Sequence, residues 1–426
     1  MPGFNKKTSF MQTIFKRKYF TVAGVLVGLM LLWSACLKSS DSALHISHSA
    51  PFENGDIKKA LATEPSISLF NKAFTRLQLA ALVDSGKGYT VFAPVDSVMK
   101  AAGLDEQKIN SLPLDSLRRL IAYHVVAGPF DDLALTNNLL STKGPSFLRD
   151  TTFDQHTGFS VYTYPLFIRE SAGVLWLNGH PIEKNAPVMS ASNGYIYPVK
   201  RIVYAPQARS LYDIIATEPD LTLYNAAMQI SDSLVWDGFQ KRFGAYDQNT
   251  RDTFFYAHPI PPNLAGSWPT IFAPTNKAFN KAGFYTVEDI RSYALSTPTG
   301  VEPGSGVFRY PPIDSLITRH VLFNSQLSFQ NSFNTSLVLY GDLLDKHVDL
   351  GPFNIYWGRS TSEIYNGAQI KWPGMQFYTQ NGKVYIQWGS TAVPVTLDGD
   401  MAHSVNSFIA TNGALYKIDQ LFYPIN

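Results

Sequence analysis

Residues Ala62–Phe74 read ATEPSISLFNKAF, and Ala216–Met228 read ATEPDLTLYNAAM. The second stretch repeats the first at an offset of 154 positions, and three further landmarks follow in the same order. Val91–Pro94 (VFAP) recurs as Ile271–Pro274 (IFAP) at offset 180. His124-Val125 recurs as His320-Val321 at 196, and Asn193-Gly194 as Asn412-Gly413 at 219. One folding unit is therefore written twice, over residues 53–206 and 207–426. The rising offset places 26, 16 and 23 extra residues between successive landmarks of the second copy. Loop closure entropy grows slowly with length, so such additions belong at the periphery of a shared core, as loops or added hairpins.

Within each copy the apolar spacing changes character. Ile57, Ala60 and Leu61, then Leu69, Phe70, Ala73 and Phe74, and later Leu117, Leu120 and Ile121, recur at helical intervals. Tyr89–Ala93 (YTVFA) reads as a buried strand stopped by Pro94, with Asp96, or Asn276 in the second copy, suited to cap the short helix that follows. After His124 the pattern is strand-like, and Asn193-Gly194 and Asn412-Gly413 read as hairpin turns. Helices first and strands last indicate an α+β unit with an antiparallel sheet.

The 426 residues are 45% hydrophobic and 16% charged, with a single Cys, which is ordinary globular composition. The formal net charge of +2 misleads. Lys6, Lys7, Lys16, Arg17 and Lys18 stand in residues 1–35, where no acidic residue occurs. Without that segment 30 basic residues face 33 acidic ones, and a nucleic-acid partner loses its main electrostatic support. Tyr19–Trp33 (YFTVAGVLVGLMLLW) follows as an apolar run of 15 residues, short for a spanning helix, which wants about 20. A basic start, a short apolar run and then Ser34-Ala35 form the layout of a secretory signal over residues 1–35.

Cys36 stands directly after that small pair, and the segment resembles a bacterial lipoprotein lipobox in which Cys36 is the lipidated first residue. Several acyl chains would hold the protein durably on a membrane, where one chain binds reversibly. Residues 36–52 then read as a polar tether. His45 and His48 in it lack acidic or thiol partners and read as solvated linker residues. Leu37 and Lys38 carry no clear inner-membrane retention cue, which points to the outer membrane.

The repeated landmarks resemble those of fasciclin domains. The family's first signature resembles Tyr89–Met99 (YTVFAPVDSVM) and Pro269–Phe279 (PTIFAPTNKAF); its second resembles Leu120–Gly128 (LIAYHVVAG) and Ile317–Phe323 (ITRHVLF). The resemblance implies two fasciclin-like domains, each a wedge-shaped β fold packed with helices, and a non-catalytic role in adhesion or extracellular binding. It also places the family's Tyr-His pair, a candidate binding element, on Tyr123 and His124. Arg319 takes the tyrosine's place in the second copy. A histidine between an amphipathic helix and an apolar strand also suits a core position, hydrogen-bonded to backbone, and that reading is preferred for His124 and His320.

No phosphate loop, His-Glu-x-x-His, paired-Cys or Gly-x-Ser-x-Gly motif occurs, so neither cofactor nor metal is expected. Asp398-Gly399-Asp400 and Asp131-Asp132 read as turn and loop. The second copy is rich in aromatics: Trp236, Phe239, Phe243, Tyr246, Phe254, Phe255, Tyr256 and Trp268 at the first insertion, and Phe353, Tyr356, Trp357, Tyr365, Trp372, Phe377, Tyr378, Tyr385 and Trp388 at the third. Most read as filling of an enlarged core. Trp357 and Trp372, beside Gly358 and Pro373, read as loop residues and candidate binding groups. The expected function is a lipid-anchored envelope protein that binds a protein or glycan. A glycan-binding accessory lipoprotein of a nutrient importer is the alternative, and an enzyme assembled across the fold comes third.

Overall fold

In the computed structural model, the described residues are 55–83, 86–136, 141–154, 158–206, 209–243, 269–301, 304, 308–318, 320–322, 337, 339, 341–342, 375–381, 383–388, 395–397 and 407–423. The first copy opens on helices α1 (Ile57–Thr63) and α2 (Ser68–Arg76) and strand β1 (Tyr89–Pro94). Three short helices follow, α3 (Asp96–Ala101), α4 (Glu106–Ser111) and α5 (Leu114–Ile121), then β2 (Val125–Ala127) and α6 (Asp132–Thr136). The rest is strand: β3 (Thr142–Asp154), β4 (Gly158–Ser171), β5 (Val174–Leu177), β6 (His180–Ile182), β7 (Met189–Ala191) and β8 (Gly194–Val199).

The second copy repeats the order with α7 (Leu211–Thr217), α8 (Thr222–Phe243), β9 (Thr270–Pro274), α9 (Asn276–Lys281) and α10 (Val287–Ala294). Strands β10 (Gly300–Val301) and β11 (Phe308–Arg309), helix α11 (Pro312–Thr318) and strand β12 (Val321–Leu322) come next. It ends on β13 (Met375–Gln380), β14 (Lys383–Trp388), β15 (Val395–Leu397), β16 (Ser407–Ala410) and β17 (Gly413–Ile418).

Four strands of each copy lie in the same order. The first sheet runs β6-β5-β4-β3-β2-β1-β8-β7, and the second runs β12-β9-β17-β16. These sheets are antiparallel except for one pair in each, β1 with β8 and β9 with β17, which run parallel. A parallel partner cannot be reached by a tight turn, so the intervening chain must cross over. Every residue of β1 and β9 is buried. Phe92 stacks on Tyr197 across the first parallel pair and Phe272 on Tyr416 across the second, with centroids 5.1 and 5.6 Å apart.

The Asn-Gly landmarks do more than turn the chain. Asn193 Oδ1 accepts the Ile57 N–H at 2.9 Å, and Asn412 Oδ1 accepts the Leu211 N–H at 2.8 Å. Each asparagine thus satisfies an orphan donor at the start of the copy's first helix. The following glycine lets two backbones touch. A Cβ on Gly194, whose φ is +146°, would stand 1.8 Å from the Tyr89 carbonyl oxygen; one on Gly413 would stand 2.4 Å from that of Pro269.

Asp96 and Asn276 depart from the sequence expectation in an informative way. Neither caps its own short helix. Asp96 Oδ1 accepts the Leu69 N–H at 2.8 Å, and Asn276 Oδ1 accepts the Leu223 N–H at 2.9 Å, so each caps the long helix that precedes it. In the second copy Thr275 caps α9 instead. The second copy's additions begin as regular structure: α8 has 22 residues where α2 has 9. Val235, buried on that extension, packs with Trp236 and with Tyr310 from just past β11. Aromatic filling of an enlarged core, as expected, is what Trp236 provides.

Replacing Asn193 or Asn412 by alanine is expected to cost about 1–2 kcal/mol each, as loss of a helix cap does. Gly194→Ala should cost more than either, since both its φ and the Tyr89 carbonyl oppose a side chain. Urea unfolding of the three variants checks the ranking.

Candidate interaction surface

Tyr123 and His124 follow the C-terminus of α5 and point inward, which corrects their candidacy as a binding pair. Tyr123 is 0% exposed; its hydroxyl donates to the Pro165 carbonyl at 2.9 Å and accepts from Asn178 Nδ2 at 2.8 Å. Burial pushes the phenol above its ordinary pKa, so it stays protonated. His124 is 1% exposed, with Nδ1 2.8 Å from the Leu120 carbonyl and Nε2 2.9 Å from the Val203 N–H. A carbonyl only accepts and an amide N–H only donates, so the ring is neutral with its proton on Nδ1. The preferred core reading of this histidine is the one the structure displays. His320 repeats it, with Nδ1 to the Leu316 carbonyl at 2.9 Å and Nε2 accepting from the Phe422 N–H at 3.1 Å.

Two charged clusters are likewise spent inside the fold. Lys184 Nζ bonds Glu170 at 2.9 Å and Asp132 at 3.2 Å, and the Tyr197 hydroxyl lies 3.1 Å from Asp132. Burial raises the Glu170 pKa against the opposing pull of Lys184, and burial with Asp132 raises that of Tyr197. Lys417 Nζ bonds Glu218 at 2.8 Å and Asp220 at 2.7 Å. Asp131 and Asp132 thus lie at the start of α6, and Asp132 works structurally.

The copies also exchange contacts. Asp342 is 0% exposed and receives Arg169 Nη1 of β4 at 3.2 Å, the Ser141 N–H at 2.9 Å and the Leu339 N–H at 2.9 Å. Burial raises its carboxyl pKa, while the Leu339 N–H, Arg169 and Ser141 oppose that rise. Gly341 lies so near the Trp176 ring that a Cβ there would come within 2.6 Å of it. In the other direction, the Tyr162 hydroxyl of β4 donates to the Thr411 carbonyl at 2.9 Å, beside the Asn412 cap.

Trp357, Trp372 and Cys36 lie outside the described residues. The aromatic pair that the structure does present is Tyr378 and Tyr385, directly opposed on β13 and β14. Their rings stack with centroids 5.4 Å apart and planes 12° from parallel, and both side chains are half-buried. Val384 and Ile386 on the opposite face are fully buried. The signal was in the sequence: Met375–Gln380 and Lys383–Trp388 alternate around Asn381-Gly382, the commonest two-residue hairpin turn, and Asn381 has the positive φ of 53° that such a turn needs.

Among the described residues no group of three or more His, Cys, Asp or Glu is placed to hold a metal ion. No described helix is long and apolar enough to cross a membrane. Residues 65–205 match the Fasciclin domain family. The matched range falls within the first copy; the second shares its strand order, its histidine and asparagine bonds and its ring stacks, so the chain is one α+β module built twice, the first copy similar to the Fasciclin domain. No curated protein matches the chain. A solved FAS1 domain pair from the insect cell adhesion molecule fasciclin I is similar at 10% identity, with 84% of this chain and 97% of that chain covered and a TM-score of 0.28.

His124 gives the first copy a pH dependence. In the unfolded chain an imidazole takes up its proton near pH 6.5; burial in the fold lowers that value to about 4. Its contribution is therefore full above about pH 6.5 and falls by about 3 kcal/mol as pH drops to about 4. His124→Gln should flatten this fall relative to the parent when urea midpoints are compared across pH 4–7. Asp342→Ala, which removes the buried carboxylate that Arg169 bonds, should cost about 3–5 kcal/mol, and Arg169→Leu in the same chain should recover part of it.

Proposed function

We propose that this chain is an envelope protein, lipidated at Cys36, whose two fasciclin-like domains bind a macromolecular partner without catalysis. The observation that carries the reading is the fasciclin match over residues 65–205, since such domains generally serve adhesion and interaction. The fate of the reactive side chains supports it. His124, His320 and Tyr123 spend their hydrogen-bonding capacity on backbone and on Asn178, which leaves little for acid–base chemistry. The leader supports the anchor: a basic start, an apolar run of 15 residues, Ser34-Ala35 and then the only cysteine in the chain. The proposed address is the outer membrane, a reading supported by Leu37-Lys38, which carry no clear inner-membrane retention cue.

A stable interface would cover about 800 Å² per partner. The second copy is the more promising host, because its additions have no counterpart in the first. A glycan-binding accessory role is the second reading, favoured by the paired tyrosines on β13 and β14.

Cys36→Ser is expected to abolish fatty-acid labelling and leave an unprocessed precursor; labelling that persists would refute the anchor. Cross-linking on intact cells with the lipidated chain as bait should retain an envelope macromolecule in stoichiometric amount. Turnover of any member of an ester and glycoside panel would replace binding by catalysis.

A further inference from the structure

Where the chain enters and leaves each copy fixes how a pull along the chain reaches the sheet. The first copy enters through α1 and α2 and reaches β1 at Tyr89; it leaves from the far end of β8, at Val199. β1 and β8 are neighbours and run parallel, with six residue pairs from Tyr89–Gly194 to Pro94–Val199. A pull therefore draws β1 by its first residue and β8 by its last, in opposite directions along the ladder. The second copy repeats this, since β9 is entered at Thr270, β17 is left at Ile418, and five pairs join them in parallel. None of the four is an edge strand: β2 and β7 flank the pair in the first sheet, β12 and β16 in the second. β1, β9 and β17 are buried along their whole length, which keeps water from replacing a bond as it lengthens. The chain is held on both sides of each pair as well. Asn193 and Asn412 hold the entry helices, while His124 and His320 hold Val203 and Phe422, each four residues past the last strand. Arg119 Nη2 adds a bond to the Pro206 carbonyl at 2.6 Å.

We infer that each copy is a mechanical clamp, its parallel pair placed in shear by tension along the chain, and that the protein works as a force-bearing tether between its N-terminal attachment and the partner it binds. The clamp is a property of the fold alone; its use as a tether rests on the anchored binding reading above. In an unzipping geometry the pairs break one after another, and each frees a residue of about 3.3 Å from both strands, so six pairs yield over about 40 Å. In shear the pairs resist together, and a slip of about one residue, or about 3.3 Å, moves every donor off its acceptor. Work of similar size done over about a tenth of the distance calls for a severalfold larger force. The helices ahead of β1 can peel away first, and the load then arrives at Tyr89 in the same direction. Forced unfolding follows the unfolding rate rather than the equilibrium stability, so such a pair resists tension even in a fold of ordinary stability.

Single-molecule pulling of the full chain in two geometries tests the clamp. Lys87, Lys100 and Tyr204 are exposed, and Cys36→Ser removes the only native thiol, so new cysteines can serve as handles. Handles at Lys87→Cys and Tyr204→Cys load the first copy in shear. Handles at Lys100→Cys and Tyr204→Cys hold β1 and β8 from the same end and unzip them. In each chain the unused lysine is replaced by serine, so the two differ only in where they are held and a loss of stability falls on both alike. At one loading rate the shear pair should unfold the first copy at a force about twofold or more above that of the unzipping pair. Equal forces, or a larger force for the unzipping pair, overturn the clamp and leave the binding reading standing. A twofold difference in a chain for which cross-linking on cells finds no partner keeps the clamp and removes its use as a tether.

Discussion

Each copy is organised around a parallel pair of strands that lie far apart in the chain. Residues 95–193 separate β1 from β8, and no turn can join them, so pairing must be stabilised by what closes the crossover. The closure is made by side chains that bond backbone across long sequence separations. Asn193 fastens the turn before β8 to the start of α1, His124 fastens the end of α5 to Val203, and Asp96 fastens the end of β1 to the start of α2. Every one of these bonds consumes a backbone group that no ladder or helix could satisfy, so each removes a desolvation cost as well as adding an attraction.

The second copy repeats all three fastenings at the offsets of the sequence landmarks, through Asn412, His320 and Asn276. Its additional residues enter between the fastened points. This explains how a core can be kept while its periphery grows: length is added where the chain is not pinned. The lengthened α8, with Val235 and Trp236 packed on Tyr310, shows one addition becoming a satellite of the core. The copies are also joined by exchange, since β4 contributes Arg169 and Tyr162 to groups of the second copy. Where they meet, the Asp342 carboxylate pairs with Arg169 and Ser141 of the first copy.

Helical spacing in Leu69–Phe74, the buried run of β1 and the doubled landmarks were legible, because each depends on neighbours within a few residues. Asp96 and Asn276 were legible as caps but not as caps of which helix; the local rule assigns them forward, and the fold turns them back onto α2 and α8. Tyr123 carried a family expectation of binding, and burial against Pro165 and Asn178 removed it. Tyr378 and Tyr385 were visible as aromatics in a crowd of aromatics. Their alternation around Asn381-Gly382 gives two faces, yet nothing local says which one is fully buried; that is the face of Val384 and Ile386.

The amino-acid sequence alone determined that this protein is one α+β module written twice, with a basic stretch and an apolar run ahead of a unique cysteine. Repeats and periodicity are properties of order along a chain, and order is what a sequence records. Tertiary structure alone decided that His124 and Tyr123 are internal fastenings, that Asp342 ties the second copy to the first, and that the two tyrosines of β13 and β14 stack on one another. These depend on which distant backbone groups and surfaces meet, and burial, which sets their chemistry, exists only once they have met.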